Sequence, residues 1–249
     1  MRTPSMRENG IVAILDALGA ANYEDAEIRR FMDSRQVVLG LLNQKAEDLL
    51  GDISQSMITT FTFNDTILII LTTGDTEPNL KQITNFFMII RKFLVDSLKH
   101  KILFRGSIAV GTFYADDATS TVMGQAVADA AAWYDRANWI GVQATPRTTL
   151  IIQRWLEHHR VTKDYAMLDY DVPLKMGGAV RTKVVNWPKV FFVNSITPCE
   201  RGTIPREKLL EFLTQHQVPR GIEDKFYNTL AFFDSAVLAI KEEKRSKKG

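Results

Sequence analysis

The sequence predicts an α+β fold, in which helices pack on one face of an antiparallel sheet. Three observations predict it. Short β-branched runs alternate with longer stretches of helical periodicity. Two of the runs are separated only by Asn64-Asp65, the spacing and turn chemistry of a hairpin. The apolar runs are core-sized and fall well short of the ~20 residues that a membrane-spanning helix needs.

Each element follows in order. Gly10 precedes Ile11-Val12-Ala13-Ile14-Leu15, a buried-strand run that stops at Asp16. The loop from Asp16 to Asn22 leads into a helix expected at 23–50, ended by Gly51-Asp52. The hairpin strands are expected at 57–63 and 66–72, with a break from Gly74 to Pro78. Ile83, Phe86, Phe87, Ile90 and Leu94 share one helical face, widened by Met88, Phe93 and Leu98. A strand containing Phe104 to Gly111 comes next, then a turn at Asp116-Asp117 and an alanine-rich helix at 125–137. A short strand at 140–143 and a helix at 147–158 follow, with further strands expected near 166–171 and 189–194. Helices near 206–216 and 222–241 close the chain. The leading order, β-α-β-β-α-β, is ferredoxin-like. Residues 1–195 are expected to form the main domain and 196–249 a C-terminal helical extension with a basic tail.

Composition narrows the function classes. Of 249 residues, 45% are apolar and 24% charged, an ordinary globular balance that excludes global disorder. A net charge of +2 gives no case for nucleic acid as a partner. The charged tail at 241–249 reads as a frayed, solvated end. A lone cysteine, Cys199, and the lack of a recognisable signal peptide fit a cytoplasmic location without membrane insertion. No Walker loop, zinc spacing, nucleophile elbow or G-x-G-x-x-G occurs. Adjacent His158 and His159 diverge on a helix, so they are not expected to share a metal. Trp133, Tyr134 and Trp139 flank the alanine-rich helix and are expected to pack at a dimer interface.

The chemistry concentrates on two acids. Asp16 ends the strand expected to be central, and Asp65 sits at the tip of the hairpin expected beside it. In this topology the strand end and the hairpin tip approach each other. Two ionised carboxylates brought close suit Mg²⁺ or Mn²⁺, which favour carboxylate and phosphate oxygens. Two such ions activate an attacking oxygen and neutralise departing phosphates. An aspartate after a strand also serves as a cap or turn former, so the pairing rather than either residue carries the reading. The loop Ala17-Leu18-Gly19-Ala20 is rich in small residues that let backbone approach a ligand. Amides at the following helix start favour phosphate, which makes Leu18, Gly19 and Ala20 nucleotide-binding candidates.

These residues resemble the class III nucleotide cyclases. The family's Asp-x-x-Gly turn is matched by Asp16-Ala17-Leu18-Gly19, and its hairpin aspartate by Phe63-Asn64-Asp65-Thr66-Ile67. Its Leu-Arg-x-Gly-Ile-x-x-Gly strand resembles Phe104 to Gly111, and its Gly-x-x-Val-x-x-Ala helix start resembles Gly124 to Ala130. The resemblance covers residues 9–195. It implies that Asp16, Asp65 and the backbone carbonyl of Ala17 bind two Mn²⁺ or Mg²⁺ ions. It places Phe61 at the family's base-reading lysine and Thr121 at its second base-reading position. The family's transition-state Asn and Arg fall on Ala128 and Ala132, which do not match. Arg136, one turn beyond Ala132 on the expected helix, is the substitute candidate, and Arg105 is a further candidate for base or phosphate. A compact cyclase lacking the purine-reading pair is similar to the bacterial Pycsar pyrimidine cyclases. That resemblance implies a cytoplasmic homodimer with active sites at the interface. It also implies UTP or CTP as substrate, cUMP or cCMP as product, and a separate effector answering in antiphage defence. A purine cyclase, a non-catalytic nucleotide-binding module and another two-metal enzyme on a related fold are the alternatives.

Overall fold

Side-chain alternation along the first strand sets the architecture. The computed structural model describes residues 8–20, 23–51, 57–116, 121–160, 166–194, 205–214 and 222–246. Asn22, Asp117, His216, Cys199 and the tail beyond Ser246 lie outside the described residues. Strand β1 (Glu8–Ala17) is flanked by β3 (Thr66–Gly74) and β4 (Phe104–Asp116), antiparallel to both. Its Ile11, Ala13 and Leu15 enter one core, while Val12 and Ile14 enter a separate, smaller one. The central strand is therefore apolar on both faces, as a strand covered from two sides must be.

The first core is the larger. Helix α1 (Asp25–Leu50) presents Phe31, Val38, Leu42 and Ala46 to it. Helix α2 (Leu80–Lys99) is capped by Asn79, whose side chain accepts from the Gln82 amide, and it buries Phe86, Phe87, Ile90 and Phe93 almost completely. Asn85 Nδ2 donates to the Leu49 carbonyl at 3.0 Å and ties the two helices together. Strand β2 (Met57–Phe63) completes the hairpin with β3, so the order β1-α1-β2-β3-α2-β4 is the ferredoxin-like one expected.

The remaining elements extend the sheet. Strand β5 (Thr121–Met123) pairs only with β4, and α3 (Gln125–Trp133) follows it. Strand β6 (Val142–Ala144) runs parallel to β4, and α4 (Pro146–His158) follows. Strands β7 (Met167–Pro173) and β8 (Ala179–Val185) form an outer hairpin, giving the order β2-β3-β1-β4-β6-β8-β7. Helices α5 (Trp187–Asn194), α6 (Pro205–Thr214) and α7 (Glu223–Ser246) end the chain. Phe232 and Phe233 of α7 are buried in the larger core against Trp139 and Trp187.

The expected one-sided helix layer holds for α1 and α2, whereas α3 covers part of the opposite face. Its Ala126 and Ala130 join Val12, Ile14, Ile70, Ala109 and Phe113 in the smaller core. The strand expected at 189–194 is instead helix α5. A short apolar run does not separate strand from helix by periodicity, and Pro188 in the first helical turn pre-sets helical φ. Strand β8 takes the place in the sheet that the sequence reading left empty. Trp139, expected at an interface, is fully buried, stacked on Tyr170 with ring centroids 5.7 Å apart and edge-on to Phe232 at 4.7 Å. Among the described residues no helix is long and apolar enough to cross a membrane.

Candidate active site

Alternation carries Asp16 onto the face of Val12 and Ile14, at the end of β1 where the smaller core stops. Its register partner on β4 is Arg105 and its partner on β3 is Thr66. Arg105 Nε and Nη2 both donate to Asp16 Oδ2, at 3.0 and 2.9 Å, in a pair that is largely buried. Arg105 Nη1 also reaches the Asp135 carbonyl at 3.3 Å. Gly106 makes this possible. A Cβ there would lie 2.1 Å from the Ile14 carbonyl oxygen, so a larger residue would push β4 off β1 next to the ion pair.

Asp65 is brought in by the hairpin tip. The Ala17 amide donates to the Asp65 carbonyl at 3.1 Å, joining the end of β1 to the turn. From the other side, Arg35 Nη1 of α1 donates to the Asn64 carbonyl at 2.6 Å. Asn64 takes the left-handed conformation, φ 54°, that a two-residue turn of this kind needs and that asparagine tolerates. The hairpin tip is thus joined to the end of the strand that carries Asp16, and the charge of Asp65 is felt at Asp16.

Electrostatics at Asp16 run in both directions. Burial pushes its carboxyl above the ordinary value, Arg105 pulls it back, and Asp65 adds to the rise. The Tyr134 phenol is also pushed up, first by burial and then by Asp16 and Asp135. Lys175, in the turn between β7 and β8, pairs with Asp135 at 3.1 Å, and its amide donates to the Arg136 carbonyl. Three acids, Asp65, Asp16 and Asp135, and two bases, Arg105 and Lys175, therefore gather at this end of the sheet.

The donor set fits a hard divalent cation. Among the described residues nothing hydrogen-bonds the half-buried Asp65 carboxylate, and Arg105 engages only one oxygen of Asp16. No group of three or more His, Cys, Asp or Glu side chains placed to hold a metal occurs among the described residues. Two carboxylates completed by a carbonyl, water and phosphate oxygens is the coordination Mg²⁺ ordinarily takes.

The other expected residues scatter. The Leu18 amide is committed to the Leu103 carbonyl at 2.8 Å, and α1 begins only at Asp25, capped by the reciprocal Glu24 and Glu27 box. At that helix start the Glu24 and Glu27 amides are met by carboxylates. Gly19 takes a positive φ of 87° in the turn, and Ala20 packs against the larger core. Phe61 lies in the smaller core opposite Leu68. Thr121 is exposed on β5, in register with Asp116 at the far end of β4 from Arg105. Ala128 and Ala132 are exposed on α3.

Arg136 requires a correction. Helix α3 ends at Trp133 with Tyr134 as its C-cap, so Arg136 is not one turn beyond Ala132 on a helix face. Its guanidinium instead lies over the Trp133 ring, 4.9 Å from the centroid, and neither Asp135 nor Glu157 pairs with it among the described residues. Asp135 is taken by Lys175. Sequence reasoning missed Lys175. The Gly177-Gly178 turn between two alternating runs was the available signal for the hairpin that delivers Lys175.

No protein-family model matches the chain, and no curated protein matches it in sequence. Among solved structures, the chain is similar to the adenylyl cyclase CyaB from P. aeruginosa, with 12% identity, 74% of this chain and 96% of that one covered, and a TM-score of 0.47. It is also similar to the catalytic core of a rhodopsin-guanylyl cyclase with converted specificity in complex with ATPalphaS, with 12% identity, coverages of 74% and 98%, and a TM-score of 0.46. At these values neither likeness assigns an activity to this chain.

Proposed function

We propose that the chain is a nucleotide cyclase that converts a nucleoside triphosphate, UTP ahead of CTP, to the 3′,5′-cyclic nucleotide and pyrophosphate. The observation that carries this reading is the convergence of Asp16 and Asp65 beside Arg105, within the motif order of class III cyclases. Asp16, Asp65 and the Ala17 carbonyl would hold two Mg²⁺ or Mn²⁺ ions. Such ions, when bound, lower the pKa of the ribose hydroxyl and neutralise phosphate charge. The 3′ oxygen attacks the α-phosphorus in line. The new P–O3′ bond forms as the bond to the bridging oxygen breaks, the hydroxyl proton passes to solvent, and pyrophosphate leaves with the electron pair. Arg105 fixes the Asp16 carboxylate and would be the nearest candidate cation for the phosphates, Arg136 being drawn onto Trp133.

The pyrimidine preference rests on Phe61. A partly buried phenyl ring at the position of a purine-reading lysine leaves no amine to meet a purine edge. The place of Thr121 supports assembly as a homodimer with active sites at the interface. It lies at the opposite end of β4 from Arg105, and a second copy would be needed to bring it near Asp16. A cytoplasmic enzyme of this kind would signal to a separate effector in antiphage defence. Incubation with Mn²⁺ and each of the four NTPs, with products identified by mass spectrometry, tests the proposal. Cyclic UMP or cyclic CMP is the expected product, and cyclic AMP or GMP would favour the purine alternative.

A second reading has its own observation. Ala128 and Ala132 leave the two positions of the family's Asn and Arg without a polar group, and Arg136 leaves that helix. A non-catalytic nucleotide-binding module would bind the triphosphate in the same assay and release no pyrophosphate.

A further inference from the structure

A hairpin tip is a place where a chain opens readily, yet Asp65 sits on one. Its turn is tied from both sides. The Ala17 amide donates to the Asp65 carbonyl at 3.1 Å, and from α1 Arg35 Nη1 donates to the Asn64 carbonyl at 2.6 Å. Both carbonyls belong to the central residues of the turn, beyond the last β2–β3 pair, Phe63 with Thr66. Arg35 is itself held in place. Its guanidinium lies over the Phe31 ring, one turn earlier on α1, 5.3 Å from the centroid. Phe31 is buried, and the Tyr23 ring packs against it at 5.8 Å. Among the described residues no carboxylate lies within ion-pair distance of Arg35, so its charge is spent on a ring and a backbone carbonyl.

The tether links the 26-residue helix that covers the larger core to the turn that carries Asp65. A hydrogen bond from a charged donor is stronger than a neutral one. A carboxylate serves a metal only when the contacts around it hold it to within a fraction of an ångström. Nothing among the described residues hydrogen-bonds the Asp65 carboxylate, so its place depends on the backbone of the turn. We propose that Arg35 is a positioning residue for the metal site, holding the Asn64-Asp65 turn against α1 so that the Asp65 carboxylate stays beside the end of β1. The inference rests on the metal-dependent cyclase reading of Asp16, Ala17 and Asp65. In this role Arg35 touches neither metal nor nucleotide and acts through the Asn64 carbonyl.

The test uses the full chain and reads the turn and the metal separately. Hydrogen exchange followed by mass spectrometry reads the turn. Arg35→Met should speed exchange at Ala17 and at 63–66 by roughly 10-fold or more, the scale of one charge-assisted hydrogen bond, and leave α2 unchanged. Titration with Mn²⁺ alone, followed by electron paramagnetic resonance, reads the metal, and the affinity should fall by a similar factor. Arg35→Lys keeps a charged donor and should recover most of both effects. In cyclisation the Mn²⁺ concentration at half-maximal rate should rise, while kcat at saturating Mn²⁺ stays within a few-fold of the parent. Unchanged exchange at the turn in Arg35→Met overturns the proposal. A melting temperature lowered as far as that of Phe31→Ala, with faster exchange in α2 as well, would make Arg35 merely structural and also overturn it. Mn²⁺ binding by the parent with the same affinity in Arg35→Met would sink only this inference. A parent that binds no Mn²⁺ would sink the cyclase reading.

Discussion

Compare the two faces of the sheet at its centre. One is sealed by α1 and α2, with Phe86, Phe87, Ile89 and Ile90 wholly buried. The other carries a thin layer in which α3 contributes mainly Ala126 and Ala130. Alanines let α3 sit close, and Ser107 Oγ pins it by donating to the Ala130 carbonyl at 2.7 Å. The thick face holds the fold. The thin face carries Asp16 and Arg105 where its cover runs out. Chemistry needs access, so the less covered face is where a charged pair remains within reach of a ligand.

The contrast breaks most sharply at Asp65. Asp65→Ala should lower cyclisation by roughly 10³-fold or more, several kcal/mol of transition-state stabilisation, with little change in melting temperature. Retained turnover would remove the thin face from the chemistry. On the sealed face, Phe87→Ala should destabilise the protein by about 3–5 kcal/mol in denaturant unfolding, whatever its effect on activity. Phe61→Ala, half-buried on the thin face, should cost only about 1 kcal/mol and shift the choice among NTPs. A loss as large as that of Phe87→Ala would mean the two faces are equally load-carrying.

The finest effect is in pH. Asp16 must ionise to hold a cation, and burial holds its carboxyl high, so the acid limb of activity should lie above the ordinary carboxylate range. Arg105 opposes that rise, so Arg105→Met should move the limb to still higher pH. The same shift has a stability counterpart in metal-free protein. A carboxyl raised on folding contributes stability below its unfolded value and loses it as pH rises through its folded value. Asp16→Asn should therefore gain on the parent as pH climbs past about 3.8, the ordinary value, as thermal melts across pH would register. A gain on acidification would reverse the sign and contradict the burial of Asp16.

Legibility differed by element. The helix at 80–99 was plain, because Ile83, Phe86, Phe87, Ile90 and Leu94 repeat at helical spacing over many turns. The run near 189–194 was not, because a few apolar residues satisfy either period, and its helix is decided by packing of Trp187 and Phe191 against Phe233. Asp16 and Asp65 could be paired from sequence because a hairpin and a strand end fix their neighbours locally. The end of α3 at Trp133 could not be read from its alanines, which favour continuing the helix.

The sequence alone determined the leading β-α-β-β-α-β order, the central strand, and the approach of the hairpin tip to the end of that strand. All follow from short-range pattern and turn chemistry. Only the tertiary structure decided which cations gather there. Arg105 reaches Asp16 across 89 positions of sequence, and Lys175 arrives from a hairpin far along the chain. Side-chain charge has no periodicity, so its partners are chosen by which surfaces must be buried together, and that is settled only when the core closes.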